Sequence, residues 1–466
     1  MKNKKVIIIG LDSCTPQLLF DKWPDLQPNI QKLIQGGVYG PLTSCIPAIT
    51  VPAWMSMVTS KTPGDLGFYG FRNRKDYSYD ELFLASSVLV KELTVWDIIS
   101  RHDKKVIVVG VPPSFPPKPV NGCLISCFLT PGINANYTYP PELKSEIPNA
   151  VGKYLFDVPK FRTEDKDDFV KQVYELADNR FATFKYLLQH KEWDFAMMVE
   201  MGVDRLHHGM WKYADPEHHK FEPGNKYENV IRDYYRYIDQ KIGTILEIID
   251  ENTVVLVVSD HGMQRMDGGI CFNDWLIQQG YLVLKDRIPE KPVPLKNEMI
   301  DWEKTSVWGS GGYYGRVFIN VEGREPQGII PMGEYEKFRT ELQAKIAQIS
   351  GPDNKILDCK AFKPQEIYPQ VKGYPPDLIV YFGKLFWRSV GTVGNPSIWT
   401  YENDTGPDDA NHAQRGIFVM NAQNQHHGQL VPNLHIMDVA PTVLDLMGIE
   451  IPTDMRGESV LKKINS

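Results

Sequence analysis

Five stretches of the sequence carry side chains that could bind a divalent cation or attack phosphorus. Asp12 follows the apolar run V-I-I-I-G-L, and Asp260 and His261 follow T-V-V-L-V-V-S. Asp204 and His208 stand four apart in G-V-D-R-L-H-H-G, His412 precedes the run G-I-F-V-M, and Thr50 sits in I-T-V-P-A-W. Carboxylates and imidazoles are common ligands of zinc-type sites. Three of each suit two ions better than one. Two ions roughly 3.5–4 Å apart would clamp the attacking and leaving oxygens of an in-line displacement at phosphorus. A threonine hydroxyl coordinated to one of them ionises more easily and could attack as an alkoxide. Each stretch also has a plainer reading. Asp-His-Gly makes an ordinary turn, a threonine before a helix is an ordinary N-cap, and Asp204 with His208 could be a solvated pair.

For that chemistry the side chains must meet, and the hydrophobic pattern indicates where. The uncharged run Thr253 to Val258 suits a central strand buried on both faces of a parallel sheet, and Val6 to Gly10 and Phe195 to Val199 read the same way. Open α/β sheets present their ligands at the C-terminal ends of such strands. Pro52 fits the first turn of a helix running through Thr59, which puts Thr50 at or just before an N-terminus, among unpaired N–H groups and at the positive end of the dipole. On a helical turn Asp204 and His208 share one face and could hold a single ion, while His207 points elsewhere. His412 lies just before a strand, and residues 436 to 448 read as a terminal helix.

Further elements complete an α/β alternation: helices over Asn29 to Gly36, Lys166 to Gln189 and Asn229 to Glu251, and a strand at Val106 to Val109 before the Pro-rich connection Pro112 to Pro119. Residues 120 to 165 show little periodicity. After Met263 the composition changes. A helix and strand over Phe272 to Leu284, a linker at Pro289 to Pro294, a helix from Glu334 to Ile349, and α/β pieces at Arg316 to Val321 and Asp377 to Phe382 predict an inserted subdomain. The expected architecture is α/β, a mostly parallel central sheet flanked by helices with a smaller α+β cap. Residues 1–265 and 395–466 would form the core and 266–394 the insertion.

With 466 residues, 42% hydrophobic and 23% charged, the chain has the composition of a globular protein, and its net charge of −7 lacks the basic footprint of a duplex-binding protein. The basic N-terminus precedes an apolar run that stops at Gly10, too short for a signal peptide, and no segment has the length of a membrane span. A cytoplasmic location is the expectation. The six scattered cysteines read as reduced thiols. Gly67 to Tyr79 is aromatic and basic and could line a substrate site, with Arg72 and Asn73 as its polar candidates.

In order along the chain, I-I-I-G-L-D-S, T-V-P-A-W, D-R-L-H-H, S-D-H-G-M, N-H-A-Q-R-G and D-V-A-P-T-V-L resemble the motifs of the alkaline phosphatase superfamily, and within it the type I phosphodiesterase and nucleotide pyrophosphatase family. The resemblance covers most of the chain. It implies an alkaline phosphatase-like core in which Thr50 is the nucleophile, Asp12, Thr50, Asp260 and His261 surround one metal, and Asp204, His208 and His412 hold the other. Zinc suits the mixed ligands best, with manganese or iron as alternatives. The expected reaction is hydrolysis of a phosphodiester or phosphoanhydride, with a small phosphate ester, a nucleotide among the candidates, as substrate. A phosphomonoesterase, a phosphomutase and a non-catalytic metal-binding protein are the alternatives. Nucleotide pyrophosphatases commonly carry an asparagine oxyanion donor about twenty residues beyond the nucleophile. Here Phe71 stands in that stretch, with Asn73 out of register. Trp54, four residues after Thr50, replaces the arginine of sulfatases and argues against sulfatase chemistry.

Overall fold

The computed structural model describes residues 4–421 and 427–464, so the first three residues of the basic N-terminal stretch fall outside it. Its centre is a ten-stranded sheet. In spatial order the strands are Gln429–Leu430, Val38–Thr43, Arg415–Asn421, Val254–Val258, Val6–Leu11, Phe195–Glu200, Val106–Val109, Gly122–Ile125 and Thr138–Tyr139, with Leu434–His435 also paired to Val38–Thr43. From Val254–Val258 to Gly122–Ile125 every pairing is parallel. Arg415–Asn421 and Thr138–Tyr139 run against their neighbours. The uncharged runs are uncharged because both faces are covered: all of Val6–Leu11, Phe195–Glu200 and Val254–Val258 is buried.

Register does the positioning. Gly10 lies opposite Val258 on one side and Val199 on the other, so Asp12 and Asp260 each leave their strand two residues beyond the same level. The helix Thr50–Thr59 packs every residue inward, and its Trp54 rests on Gly10, where an added Cβ would come within 2.5 Å of the indole. Helices Pro28–Gln35, Lys166–His190, Gly202–Ala214 and Val230–Leu246 cover the sheet. The expected helix to Glu251 ends at Leu246.

One predicted detail differs, and one strand was not foreseen. No strand follows the helix Phe272–Gln278; Leu284 makes only an isolated bridge to Ile300. Val38–Thr43, which contains Gly40 and Pro41, is a strand despite its breakers. Its outer neighbours pair with Val38, Tyr39, Leu42 and Thr43, so no ladder partner is interrupted opposite Pro41 on that side.

Residues between Ile270 and Trp387 build a second hydrophobic cluster around a four-stranded antiparallel sheet ordered Val307–Ser310, Gly315–Ile319, Leu378–Tyr381, Lys360–Phe362, with the helix Tyr335–Ile346 contributing Leu342 and Ile346. A smaller cluster of Ile49, Tyr69, Tyr314, Tyr368, Ile379 and Tyr381 joins this sheet to the residue before Thr50. Among the described residues, no helix is long and apolar enough to cross a membrane.

Candidate active site

The strand ends deliver their side chains into one buried centre. Ser13, in the left-handed region at φ 58°, turns its N–H to Asp260 Oδ1 at 3.2 Å. Trp54 Nε1 donates to Asp12 Oδ2 at 2.7 Å. The strand Gly262–Arg265 pairs antiparallel with Ala410–Ala413, setting Met263 opposite His412 and stacking the His261 and His412 rings at 3.9 Å. Both rings turn Nδ1 to a backbone carbonyl at 2.9 Å, Gly262 O for His261 and Ala48 O for His412. That contact fixes the proton on Nδ1 and leaves the Nε2 lone pair available, the arrangement metal-binding imidazoles use.

The helix Gly202–Ala214 supplies Asp204 and His208 one turn apart, with His208 Nε2 3.4 Å from Asp204 Oδ1. Arg205 Nη1 donates to Asp204 Oδ2 at 2.6 Å, and its other nitrogens grip Asp157. His208 Nδ1 lies 2.8 Å from Asp408 Oδ1. Arg162 and the Tyr313 hydroxyl donate to Asp408 Oδ2 at 3.0 and 2.9 Å, and the Tyr313 ring stacks on both His208 and His412.

Two sets of ligand-type atoms are compact enough for an ion, each set lying within 4.8 Å of one another: Asp12, Asp260 and His261, and Asp204, His261 and His412. His261 is common to both. His208, expected in the second set, stands beside it, its ring 5.4 Å from that of His412.

The donor set fits a bound cation on its own physical terms. Asp12 Oδ1, Asp204 Oδ1, Asp260 Oδ2 and His261 Nε2 are buried without a hydrogen-bond partner among the described residues. Burying such atoms unpaired costs several kcal/mol unless a counter-charge meets them, about 1–3 kcal/mol each even by mutational measures. Burial, then the Asp260 and Asp204 carboxylates, push Asp12 well above the usual carboxylate range, and burial does the same to Asp260. Burial would raise Asp204 too, but His208 and Arg205 hold it well below. Burial presses His261 down to about 4 and His412 well below the usual value. Neutral imidazoles facing crowded carboxylates form a centre short of positive charge, which a divalent ion supplies.

Thr50 is the first residue of its helix, and Ile49, extended, is the N-cap. The segment is tied to the cluster on either side, through Ala48 O to His412 and through Trp54 to Asp12. Arg72 and Asn73 lie on the hairpin Arg72–Arg74 with Leu82–Leu84. Asn73 spends its amide within its own turn, accepting from Tyr69 N at 2.7 Å and donating to Gly70 O at 2.9 Å. Arg72 is exposed. Neither is joined to the cluster by a hydrogen bond among the described residues.

Sequence reasoning missed Trp54 as the partner of Asp12, and Arg205, Asp408, Arg162 and Tyr313 around His208. The acidic pair in G-P-D-D-A-N-H, just before His412, was the one available signal for Asp408.

The model of the type I phosphodiesterase/nucleotide pyrophosphatase family matches residues 6–410. The chain belongs to that family. It is therefore a hydrolase of phosphoric ester or phosphoanhydride bonds in the alkaline phosphatase superfamily, and the family is metal-dependent. Solved structures share its fold. Human ectonucleotide pyrophosphatase/phosphodiesterase 5 superposes with a TM-score of 0.57 at 12% identity, covering 99% of each chain. The inactive murine form in complex with AMP gives 0.58 at 12%, again over 99% of each. Phosphonoacetate hydrolase from Sinorhizobium meliloti 1021, with phosphonoacetate bound, gives 0.60 at 14% over 96% of each. The large mixed sheet flanked by helices is thus a family feature.

Proposed function

We propose that this phosphodiesterase-family protein cleaves a phosphodiester or phosphoanhydride through a covalent phosphothreonine at Thr50. The Thr50 Oγ1–phosphorus bond forms as the bond from phosphorus to the leaving oxygen breaks. Water then attacks the same phosphorus, the phosphorus–Oγ1 bond breaks, and threonine is restored. The helix start gives the hydroxyl a position among unpaired backbone N–H groups, which favour negative charge on the oxygen and on the incoming phosphoryl group.

Two divalent ions, for which zinc suits the ligands best, would be held by Asp12, Thr50, Asp260 and His261 and by Asp204, His208 and His412, and when bound they neutralise the charge gathered at phosphorus. The chain's own residues prepare for this: Ala48 and Gly262 orient two imidazoles, Trp54 orients Asp12, and Arg205 orients Asp204. The observation that carries the reading is the set of four buried ligand-type atoms that make no hydrogen bond among the described residues, beside the helix that begins at Thr50.

The relatives' ligands, AMP and phosphonoacetate, support a small phosphorus-containing anion as the substrate class. A phosphomonoesterase or phosphomutase on the same scaffold is the second reading, favoured by the engagement of Asn73 within its own turn. The test is acid quenching during turnover of chromogenic diesters and monoesters, followed by mass spectrometry of the peptide containing Thr50. A phosphorylated Thr50 is expected. Thr50→Ala should keep most of its metal, since the other candidate ligands remain, and lose activity by several orders of magnitude, with Thr50→Ser keeping part. Near-normal turnover by the alanine variant would overturn the covalent route.

A further inference from the structure

Ser13 holds a conformation that serine seldom takes. Cys14 N donates to Leu11 O at 3.1 Å and closes a β-turn with Ser13, at φ 58°, in its third place. Glycine is the usual occupant of such a left-handed position, because it has no Cβ to crowd the following carbonyl. A residue kept there against its preference needs contacts that over-determine it. Ser13 is wholly buried, and its hydroxyl lies 3.2 Å from His207 Nδ1.

His207 is itself held from behind. Its Nε2 is 3.2 Å from the Tyr235 hydroxyl, which accepts from Thr15 N at 3.4 Å, and its ring packs edge-on against Trp211. Burial pushes the ring down to about 3, so it is neutral, with one nitrogen a donor and the other an acceptor. A hydroxyl at either end answers whichever role it meets. His207 thus spans two hydroxyls, one on the helix Val230–Leu246 and the other in the turn after the strand Val6–Leu11.

The turn acts on Asp260. With Ser13 left-handed, its N–H reaches Asp260 Oδ1 at 3.2 Å. The second oxygen, Oδ2, makes no hydrogen bond among the described residues and belongs to a carboxylate of the compact set Asp12, Asp260 and His261. His207 stands on the same helix as Asp204 and His208. That helix therefore serves one candidate metal position through ligands and the other through this strut.

We propose that His207 is a positioning residue, which pins the Ser13 hydroxyl, keeps Ser13 in its left-handed conformation and so aims the Ser13 N–H at Asp260. On the two-ion reading proposed above, the ion at Asp12 and Asp260 depends on His207 in this way.

The test has two readouts on the full chain: zinc titration after chelator treatment, by competition with a metal indicator, and amide exchange of the metal-free chain in the peptide containing Ser13. Ser13→Ala keeps the Cβ and loses the hydroxyl. It should weaken one of the two zinc affinities about tenfold, the low end of what losing an outer partner costs, and speed exchange in that peptide. Ser13→Gly, which takes the left-handed conformation unaided, should recover most of both losses. His207→Asn, whose amide can stand where Nδ1 stands, should stay close to wild type. His207→Gln, whose amide replaces Nε2 and leaves Ser13 without a partner there, should behave like Ser13→Ala and be rescued by adding Ser13→Gly. A purely structural His207 would lower the urea midpoint of its asparagine and glutamine variants alike and leave zinc affinity and Ser13 exchange unmoved. That outcome overturns the proposal, as do equal affinities and exchange for Ser13→Ala, Ser13→Gly and wild type. Fewer than two zinc ions on wild type would instead overturn the two-ion reading, and the exchange comparison of the metal-free variants would still decide the role of His207.

Discussion

His208 Nδ1 lies 2.8 Å from Asp408 Oδ1, two hundred residues further along the chain, with both side chains buried. The carboxylate holds the imidazole so that Nε2 faces Asp204. Although burial works against it, Asp408 and Asp204 push the His208 ring up to about 9. Asp408→Asn should therefore weaken metal binding by about 10- to 100-fold, the usual cost of losing such an outer partner. Titration of the chelator-treated chain with zinc, read by competition with a metal indicator, checks this. An unchanged affinity would show that Asp408 does not orient the ring.

Membership of both compact sets separates His261 from the other candidate ligands. Asp204→Ala and His208→Ala should resemble each other, each reducing the metal content by about one ion per chain, as expected for ligands of one ion in a two-ion site. His261→Ala should reduce it further, since its ring belongs to both compact sets. Elemental analysis of protein purified without chelator gives the counts. Equal losses for His208→Ala and His261→Ala would contradict the sharing.

Gly10 is required by Trp54 rather than by backbone conformation. A methyl group there would meet the indole at 2.5 Å, and the indole is what holds Asp12 Oδ2. Gly10→Ala is expected to cost about 1–3 kcal/mol, typical of overpacking in a filled core, and to weaken metal binding at the same time. Denaturant unfolding and zinc titration measure the two effects. A stability loss with no change in affinity would mean that the indole moves without disturbing Asp12.

Asp65 ties the two ends of the chain together. It closes a capping box with Thr62, and both of its oxygens accept from Arg456, at 2.8 and 3.2 Å. Asp65→Ala should cost about 1–3 kcal/mol. Burial would raise its pKa, but Arg456 and Thr62 hold it below the usual carboxylate value. The folded state therefore binds this proton less readily than the unfolded chain, where the value is about 3.9. Its contribution is full above that value and is lost as pH falls through the lower, folded one. Urea unfolding of wild type and Asp65→Asn from neutral to acid pH should show a gap that narrows only in this acid range. A constant gap would rule out ionisation of Asp65 as the source.

Much of the centre was legible because burial on both faces leaves an unmistakable mark on a strand. V-I-I-I-G-L and T-V-V-L-V-V could hardly be anything else, and their polar exits pointed to Asp12, Asp260 and His261. Register could not be read. That Gly10 lies opposite Val258, and so levels the two carboxylates, depends on pairing across almost 250 residues. The strand Val38–Thr43 was hidden by Gly40 and Pro41, whose meaning as breakers holds only where a continuous ladder is demanded. Asn73 was a candidate by type alone, since it stands out of register with the expected donor, and its short side-chain amide satisfies its own turn first. Asp408 and Tyr313 were invisible for a different reason: their role is to hold a ligand, and holding leaves no spacing pattern.

The strand Arg415–Asn421 sits between Val254–Val258 and Val38–Thr43, although it is made some 160 residues after the first of them. While the chain is being synthesised, V-V-L-V-V can pair with Val6–Leu11 on one side, but its other edge stays bare until almost the whole protein has emerged. An uncharged, β-branched edge of that kind is a template for pairing with another chain. His412, just ahead of the late strand, arrives at the same moment. The growing polypeptide thus carries a bare, self-complementary edge while the roughly 160 residues between the two strands are made, and the piece that ends the exposure also brings the last candidate ligand. Truncation before residue 410 should yield aggregated protein rather than a smaller soluble enzyme, and chaperone demand should be set by this one delayed strand.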